Sequence, residues 1–87
     1  MVDNELIHKY IEPNPNRPGL DEARLRDYGV AVWAIVGYWL GYNGDIDRVA
    51  REYAVPRAAV EAAVQYYRQH KPLIDARIQA NTIAVAP

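Results

Sequence analysis

Side chains able to make and break bonds are few and far apart in this sequence of 87 residues. His8 and His70 are its only histidines, and it has no cysteine. A zinc site needs about four such ligands brought together, so two isolated histidines do not define one. Thr82 carries the only aliphatic hydroxyl, which leaves no serine or cysteine nucleophile beside a histidine base. We therefore predict a protein that is not an enzyme, holds no metal or cofactor and acts on no small-molecule substrate.

A second group of residues suits contacts with nucleic acid. Arginine bonds guanine edges and phosphates, and glutamine can pair with adenine. The candidates for DNA contact are Arg48, Arg51, Arg57, Gln65 and Arg68. Glu61 lies among them and would face the DNA polyanion unfavourably. The alternative interpretation is that these arginines form a solvated helix face.

Helical spacing places those candidates on two short helices joined by a tight turn. Asp45 suits the N-cap of the first helix, and Val55 fills the turn. Pro56 suits the first turn of the second helix, which continues to about His70. The inner face of the pair comprises Ile46, Val49, Ala50, Tyr53, Val60 and Val64. The outward surface of the second helix comprises Arg57, Ala58, Ala59, Glu61, Ala62 and Gln65. The pattern predicts a helix-turn-helix, although any tight helical hairpin needs similar spacing.

A longer helix is predicted from Ala31 to about Tyr42. Its buried face comprises Val32, Ile35, Val36, Trp39 and Leu40. Gly37 and Gly41 would let another backbone approach closely, unless Gly41 only begins the exit turn. The chain also holds 7 tyrosines and 2 tryptophans, aromatic types that suit half-buried subunit surfaces or, as an equal alternative, fill a small core. We therefore expect a homodimer. The candidate interface residues are Trp33, Gly37, Tyr38, Trp39, Tyr66, Ile74 and Ile78.

The N-terminal region is predicted to hold short strands around a rigid loop. Hydrophobic alternation over residues 6–11 predicts a strand, and the prolines and asparagines of 12–19 predict a loop without helix. Residues 23–26 predict a second strand before a turn at 27–29, or alternatively the start of a helix.

The C-terminal region is predicted to hold one more helix, from Pro72 to about Asn81. Residues 82–87 are short, apolar and uncharged, and we expect them to fray unless a partner holds them. The chain is one structural domain, with a strand and Pro-rich loop region over 1–30 and a helix-turn-helix region over 31–81, followed by this tail. Its fold class is mainly α.

Overall composition restricts the setting in which the domain works. The sequence is 51% hydrophobic with a formal net charge of −1, which excludes wholesale disorder and gives no general attraction to DNA. The longest apolar run, Val30 to Leu40, is shorter than the ~20 residues that cross a bilayer. The N-terminus lacks the charged-then-apolar layout of a signal peptide. We expect a cytoplasmic protein without membrane contact.

Several short motifs, taken in their order and spacing, resemble a known family. The motifs are Tyr10-Ile11, Val30-x-Val32-Trp33-x-Ile35, Gly44, Ala50-x-x-Tyr53, Tyr66-Tyr67-x-x-His70 and Ile74-Asp75. Over residues 10–81 the chain resembles the small prokaryotic domain-of-unknown-function family numbered four hundred and thirty-three. Members of that family are described as antitoxin-like and related to VapB-type antitoxins. The resemblance departs at Arg26-Asp27-Tyr28, where the family carries glycine, threonine and arginine in a basic strand.

This resemblance implies a homeodomain-like helix-turn-helix with a short N-terminal β-strand or hairpin and a C-terminal helix. It also implies a dimeric antitoxin of a prokaryotic type II toxin–antitoxin module, which binds a PIN-like ribonuclease toxin and, in one version, operator DNA. The apolar tail would suit addition of a strand to a partner's sheet edge. Two alternatives stay open: a homodimeric helix-turn-helix regulator that binds DNA, and a structural dimer that does not.

Overall fold

The computed structural model describes residues 4–85, with side chains described as far as Asn81. The elements in chain order are α1 (Asn4–Tyr10), β1 (Ile11–Glu12), a 3-10 helix (Leu20–Glu22), β2 (Arg24–Leu25), α2 (Val32–Gly41), α3 (Ile46–Tyr53), α4 (Arg57–Gln69) and α5 (Lys71–Val85). Within these described residues the fold is mainly helical, as the sequence predicted, with one small antiparallel sheet near the N-terminus.

The central element is α4, because α1, α2 and α3 all pack against it. Its buried residues are Ala59, Val60, Ala62, Ala63, Val64, Tyr66 and Tyr67. A helix covered on several sides is apolar nearly all round, and its small residues let the neighbouring helices approach closely. The prediction that Ala59 and Ala62 lie on the outward surface is therefore wrong, since both are fully buried. The members of that surface that keep solvent exposure are Arg57, Ala58, Glu61 and Gln65.

The strand predicted over residues 6–11 is wrong for all but its last residue, because α1 occupies this segment up to Tyr10. Leu6, Ile7 and Tyr10 recur at a spacing that also fits a helix, and a run this short does not separate the two periods. Packing decides the outcome, since Ile7 is buried and α1 lies against α4. The Pro-rich loop that follows β1 contains neither helix nor strand before the 3-10 turn, as predicted.

The two strands pair antiparallel, with Ile11 opposite Leu25 and Glu12 opposite Arg24. The strand predicted over 23–26 is confirmed at its centre, and the single 3-10 turn before it accounts for the helical tendency of that segment. Leu25 is fully buried, so the sheet is anchored to the core. The Arg24 Nε donates a 2.8 Å hydrogen bond to Glu12 Oε2 across the pair, which links the two strands on their outer side.

The first predicted helix is confirmed by α2 within a residue at each end. Of its predicted buried face, Val32, Ile35 and Val36 are fully buried, but Leu40 is 47% exposed. Trp39 continues the buried stripe instead, with its ring centroid 6.3 Å from that of Tyr67 on α4. A helix buries only the stripe that other elements cover, and Leu40 lies at the edge of that stripe on α2.

The next two helices, α3 and α4, are separate and joined by a three-residue turn, as predicted. The Asp45 carboxylate caps α3 by accepting a 3.0 Å hydrogen bond from the Arg48 backbone N–H. At its other end Ala54 is left-handed, with φ of 55°, and the Val55 N–H donates to the Ala50 carbonyl over 3.1 Å. This is the Schellman arrangement, which an apolar contact usually accompanies. Ala50 and Val55 are both buried, so the turn is closed by the pair that the spacing predicted. We call α3, this turn and α4 together the α3–turn–α4 unit.

The last helix, α5, is longer than predicted, since it continues to Val85 instead of ending near Asn81. The sequence after Pro72 has neither glycine nor proline before its last residue, and nothing local stops the helix. The tail predicted over 82–87 is therefore helical through residue 85, which is not the conformation of a segment that adds a strand to a sheet. Residues 86–87 lie outside the described residues.

Candidate functional site

The first candidate surface is the α3–α4 face, which comprises the solvent-accessible residues Asp47 of α3 and Arg57 and Glu61 of α4. Arg57 is the first residue of α4, and its side chain is 54% exposed. Its Nε donates a 2.9 Å hydrogen bond to Glu61 Oε1, about one helical turn further on. Its Nη1 donates to Asp47 Oδ1, which belongs to α3. The hydrogen bonds to Asp47 and then to Glu61 raise the pKa of Arg57 above its ordinary value. The guanidinium is therefore a permanent cation between two carboxylates.

The other predicted DNA contacts do not gather around Arg57. Arg51 and Arg68 are exposed, and Gln65 is half-buried on α4. Arg57 and Arg68 lie near opposite ends of α4, about 16 Å apart along a helix that rises about 1.5 Å per residue. Arg48 lies beside the second surface, described next. The structure thus spreads these five residues over more than one surface instead of forming one basic patch.

The second candidate surface is the α2–α5 groove, a shallow cavity of about 590 Å³ between α2 and α5. It is lined by Trp33, Ala34, Gly37, Tyr38, Gly41, Tyr42, Ile78 and Asn81, all uncharged. A methyl group added at Gly37 or Gly41 would meet no atom within 4 Å, so both glycines open onto free space. Among the residues whose side chains the structure describes, none uses the close approach that these glycines permit. Gly41 ends α2, as the exit-turn interpretation expected, and also lines the groove.

Aromatic rings form one wall of the α2–α5 groove. Tyr38 is 49% exposed, and its ring centroid lies 5.7 Å from that of Tyr42 and 5.3 Å from that of Tyr53. Burial first, and then the neighbouring Tyr38 and Tyr42 hydroxyls, raise the pKa of Tyr53. The Arg48 guanidinium lies 4.0 Å from the Tyr42 centroid in a cation–π contact. The wall therefore combines apolar ring faces with a cation at its rim.

The Trp33 end of the groove carries a second stacked arginine. The Arg77 guanidinium of α5 lies 4.3 Å from the Trp33 ring centroid. Its Nε also donates a 2.7 Å hydrogen bond to Glu22 Oε1, which ties α5 to the 3-10 helix. Arg48 has no carboxylate partner among residues 4–81, whose side chains the structure describes. Arg48 is therefore the rim cation that stays open to an acidic group of another molecule.

Only part of the predicted interface lies at the groove. The predicted residues that line it are Trp33, Gly37, Tyr38 and Ile78. Ile74 is fully buried, so its prediction as an interface residue is corrected to a core position. Tyr66 is 7% exposed, and its hydroxyl donates a 2.6 Å hydrogen bond to the Leu20 carbonyl. Trp39 packs against the core beside α4. Ile74 and Tyr66 are thus buried within the chain, whereas Trp39 is half-buried against the same core.

The sequence pattern did not single out every residue of the two surfaces. The groove residues outside the prediction are Ala34, Gly41, Tyr42 and Asn81. A signal for Tyr42 was present, because it follows Tyr38 by four residues and such residues share a helix face. No periodic signal connects Asp47 with Arg57, since they are ten residues apart on two different helices. Their contact depends on the angle at which the turn sets α3 against α4.

The two histidines are not joined in a metal site. His8 is exposed on α1, and His70 follows α4 with its ring centroid 4.5 Å from that of Tyr66. Across the described part of the chain, no three histidine, cysteine, aspartate or glutamate side chains are grouped so that they could hold a metal ion. None of the helices in the same range combines the length and the hydropathy of a membrane span.

Comparison with known proteins yields no relative for this chain. No family model matches it, and neither the curated proteins nor the solved structures contain a match.

Proposed function

We propose that this chain is a cytoplasmic, non-enzymatic protein-binding module that serves as the antitoxin of a prokaryotic type II toxin–antitoxin module. Its partner is a PIN-like ribonuclease toxin. The single observation that carries the binding role is the open α2–α5 groove. Tryptophan, tyrosine and arginine are the residues that most often dominate protein interfaces, and the groove presents all three around a floor of small residues. The resemblance to the antitoxin-like family supplies the class of partner.

Operator DNA is the alternative partner, and the α3–turn–α4 unit is consistent with a homeodomain-like helix-turn-helix. In that architecture the first residues of the second helix contact base edges. Arg57 stands at this position, but its guanidinium already binds Asp47 and Glu61. Over residues 45–61 acidic side chains outnumber basic ones by four to three, which gives no attraction to a polyanion. We therefore place a protein partner ahead of DNA.

A second copy of the chain is the other candidate for the groove, in a structural homodimer without DNA binding. The groove combines a notch at Gly37 and Gly41 with the protruding Tyr38 on the same helix. A two-fold interface uses the same patch on both subunits. The protrusion of each subunit can therefore fit the notch of the other. The uncharged lining brings no like charges together in such a pair.

The test is co-expression of the full chain with the ribonuclease-like protein encoded beside its gene, followed by measurement of binding and of ribonuclease activity. Gly37→Leu is expected to fill the notch and to leave the fold intact, because a Cβ at position 37 has free space around it. The native chain is expected to bind and inhibit the ribonuclease, and Gly37→Leu to weaken the complex about tenfold or more. Ala76→Leu, at an exposed position of α5 outside the groove, is the matched control and keeps native affinity.

Sedimentation of the purified chain alone at micromolar concentration separates the two candidates. A monomer that inhibits the ribonuclease supports the antitoxin proposal. A dimer that Gly37→Leu dissociates and Ala76→Leu does not supports the homodimer. Native behaviour of Gly37→Leu in both assays would show that the groove is not the binding site.

A further inference from the structure

The position of Arg57 bears on whether the α3–α4 face can bind nucleic acid. Arg57 is the first residue of α4, where the second helix of a helix-turn-helix meets bases and phosphates. The backbone N–H groups in the first turn of a helix have no partner within the helix, and they attract anions. Arg57 is thus the side chain of the α3–turn–α4 unit that is best placed to touch nucleic acid.

Two carboxylates from different helices already occupy this side chain. Glu61, on α4, accepts from the Arg57 Nε over 2.9 Å, and Asp47, on α3, accepts from the Arg57 Nη1. A single exposed ion pair is easily exchanged for water or for another anion. Two carboxylates that converge on one guanidinium hold it in a defined orientation and use its donors on two sides. A phosphate approaching Arg57 would have to displace both and would meet their negative charges.

We propose that Asp47 and Glu61 form an autoinhibitory contact that keeps the α3–turn–α4 unit off duplex DNA by occupying Arg57. The two carboxylates take the place of phosphate oxygens on this arginine. Both side chains are solvent-accessible, so removing their charge leaves the buried contacts between α3 and α4 unchanged. The contact belongs to the α3–α4 face and does not depend on what occupies the α2–α5 groove.

The test measures binding of the purified full chain to a short fluorescent DNA duplex of arbitrary sequence at low salt. The double variant Asp47→Asn with Glu61→Gln removes two charges and keeps the size of both side chains. Its affinity for the duplex is expected to exceed that of the native chain about tenfold or more, because Arg57 is released and two repulsive charges are lost. The plot of log affinity against log salt is expected to be steeper by about one, the slope of one added phosphate contact.

A matched control is Asp27→Asn with Glu52→Gln, two exposed positions outside the contact, which changes the net charge equally. It is expected to bind the duplex within about threefold of the native chain, since the change in overall charge alone is small. Adding Arg57→Ala to the first double variant is expected to remove the gain. Circular dichroism establishes that each variant is folded. The proposal is overturned if the double variant gains no affinity, if the control gains as much, or if the gain survives Arg57→Ala.

Discussion

The Tyr67 hydroxyl of α4 donates a 2.7 Å hydrogen bond to the Asp75 carboxylate of α5, and this bond spans the one-residue break between the helices at His70. The Lys71 Nζ donates to the other Asp75 oxygen over 2.8 Å and lies 5.5 Å from the Tyr67 ring centroid. The three side chains set the start of α5 relative to α4. Because α5 forms one side of the α2–α5 groove, they also help to position that side.

Acid is expected to weaken this three-residue contact. The Lys71 ammonium, and then the Tyr67 hydroxyl, lower the pKa of Asp75 below its ordinary value. A carboxylate with a lowered pKa contributes stability above its unfolded-state pKa of about 3.9, and this contribution is lost as the pH falls through the folded-state value. Thermal unfolding between pH 7 and 2 is therefore expected to show a smaller acid-induced fall in Tm for Asp75→Asn than for the native chain. Equal falls would contradict a role for Asp75 in acid stability.

Truncation of a buried residue of α5 is expected to destabilise the isolated chain. Ile74 is fully buried, so Ile74→Ala removes apolar contacts and leaves a cavity, at a cost of about 2–5 kcal/mol in the free energy of unfolding. Its neighbour Leu73 is 47% exposed, and Leu73→Ala is expected to cost about 1 kcal/mol or less. Urea unfolding at several protein concentrations measures both. If the cost of Ile74→Ala vanished at concentrations where the chain is monomeric, Ile74 would belong to an interface after all.

Relief of backbone strain at the turn is expected to stabilise the chain. Ala54 has φ of 55°, a left-handed conformation that glycine adopts without steric cost. Ala54→Gly is therefore expected to raise the free energy of unfolding by about 0.5–1 kcal/mol, after the larger entropy of the unfolded glycine chain is subtracted. Ala76→Gly, at an exposed position inside α5, is the control and is expected to lower it by about 1 kcal/mol. Equal losses from both substitutions would exclude strain at the turn.

The N-cap of α3 provides a further measurable contribution. The Asp45 carboxylate satisfies the Arg48 backbone N–H, and Asp45→Ala leaves this donor to water, at a cost of about 1 kcal/mol. Asp45→Asn keeps an oxygen in the same place and is expected to remain within about 0.5 kcal/mol of the native stability. Thermal and urea unfolding compare the three chains. A loss of equal size in both variants would show that the charge, and not the capping hydrogen bond, stabilises α3.

Local signals were sufficient for much of the helical part of the fold. The cap at Asp45, the break before Pro56 and the apolar period of α3 and α4 act over a few residues, so they can be recognised without knowing what packs against them. The notch in α2 could also be predicted from the sequence, because Gly37 and Gly41 are four residues apart and such residues share a helix face.

Tertiary packing settled the positions at which local signals were ambiguous or silent. The segment around Ile7 fits either period and is helical because it lies against α4. Ala59 and Ile74 are buried because more than one element packs against their helices. The spacing of apolar residues along one helix does not reveal how many elements will cover it. The contact between Asp47 and Arg57 requires a particular angle between two helices. Capping and periodicity are properties of a few neighbouring residues, whereas burial and ion pairing between helices exist only once the whole chain has packed.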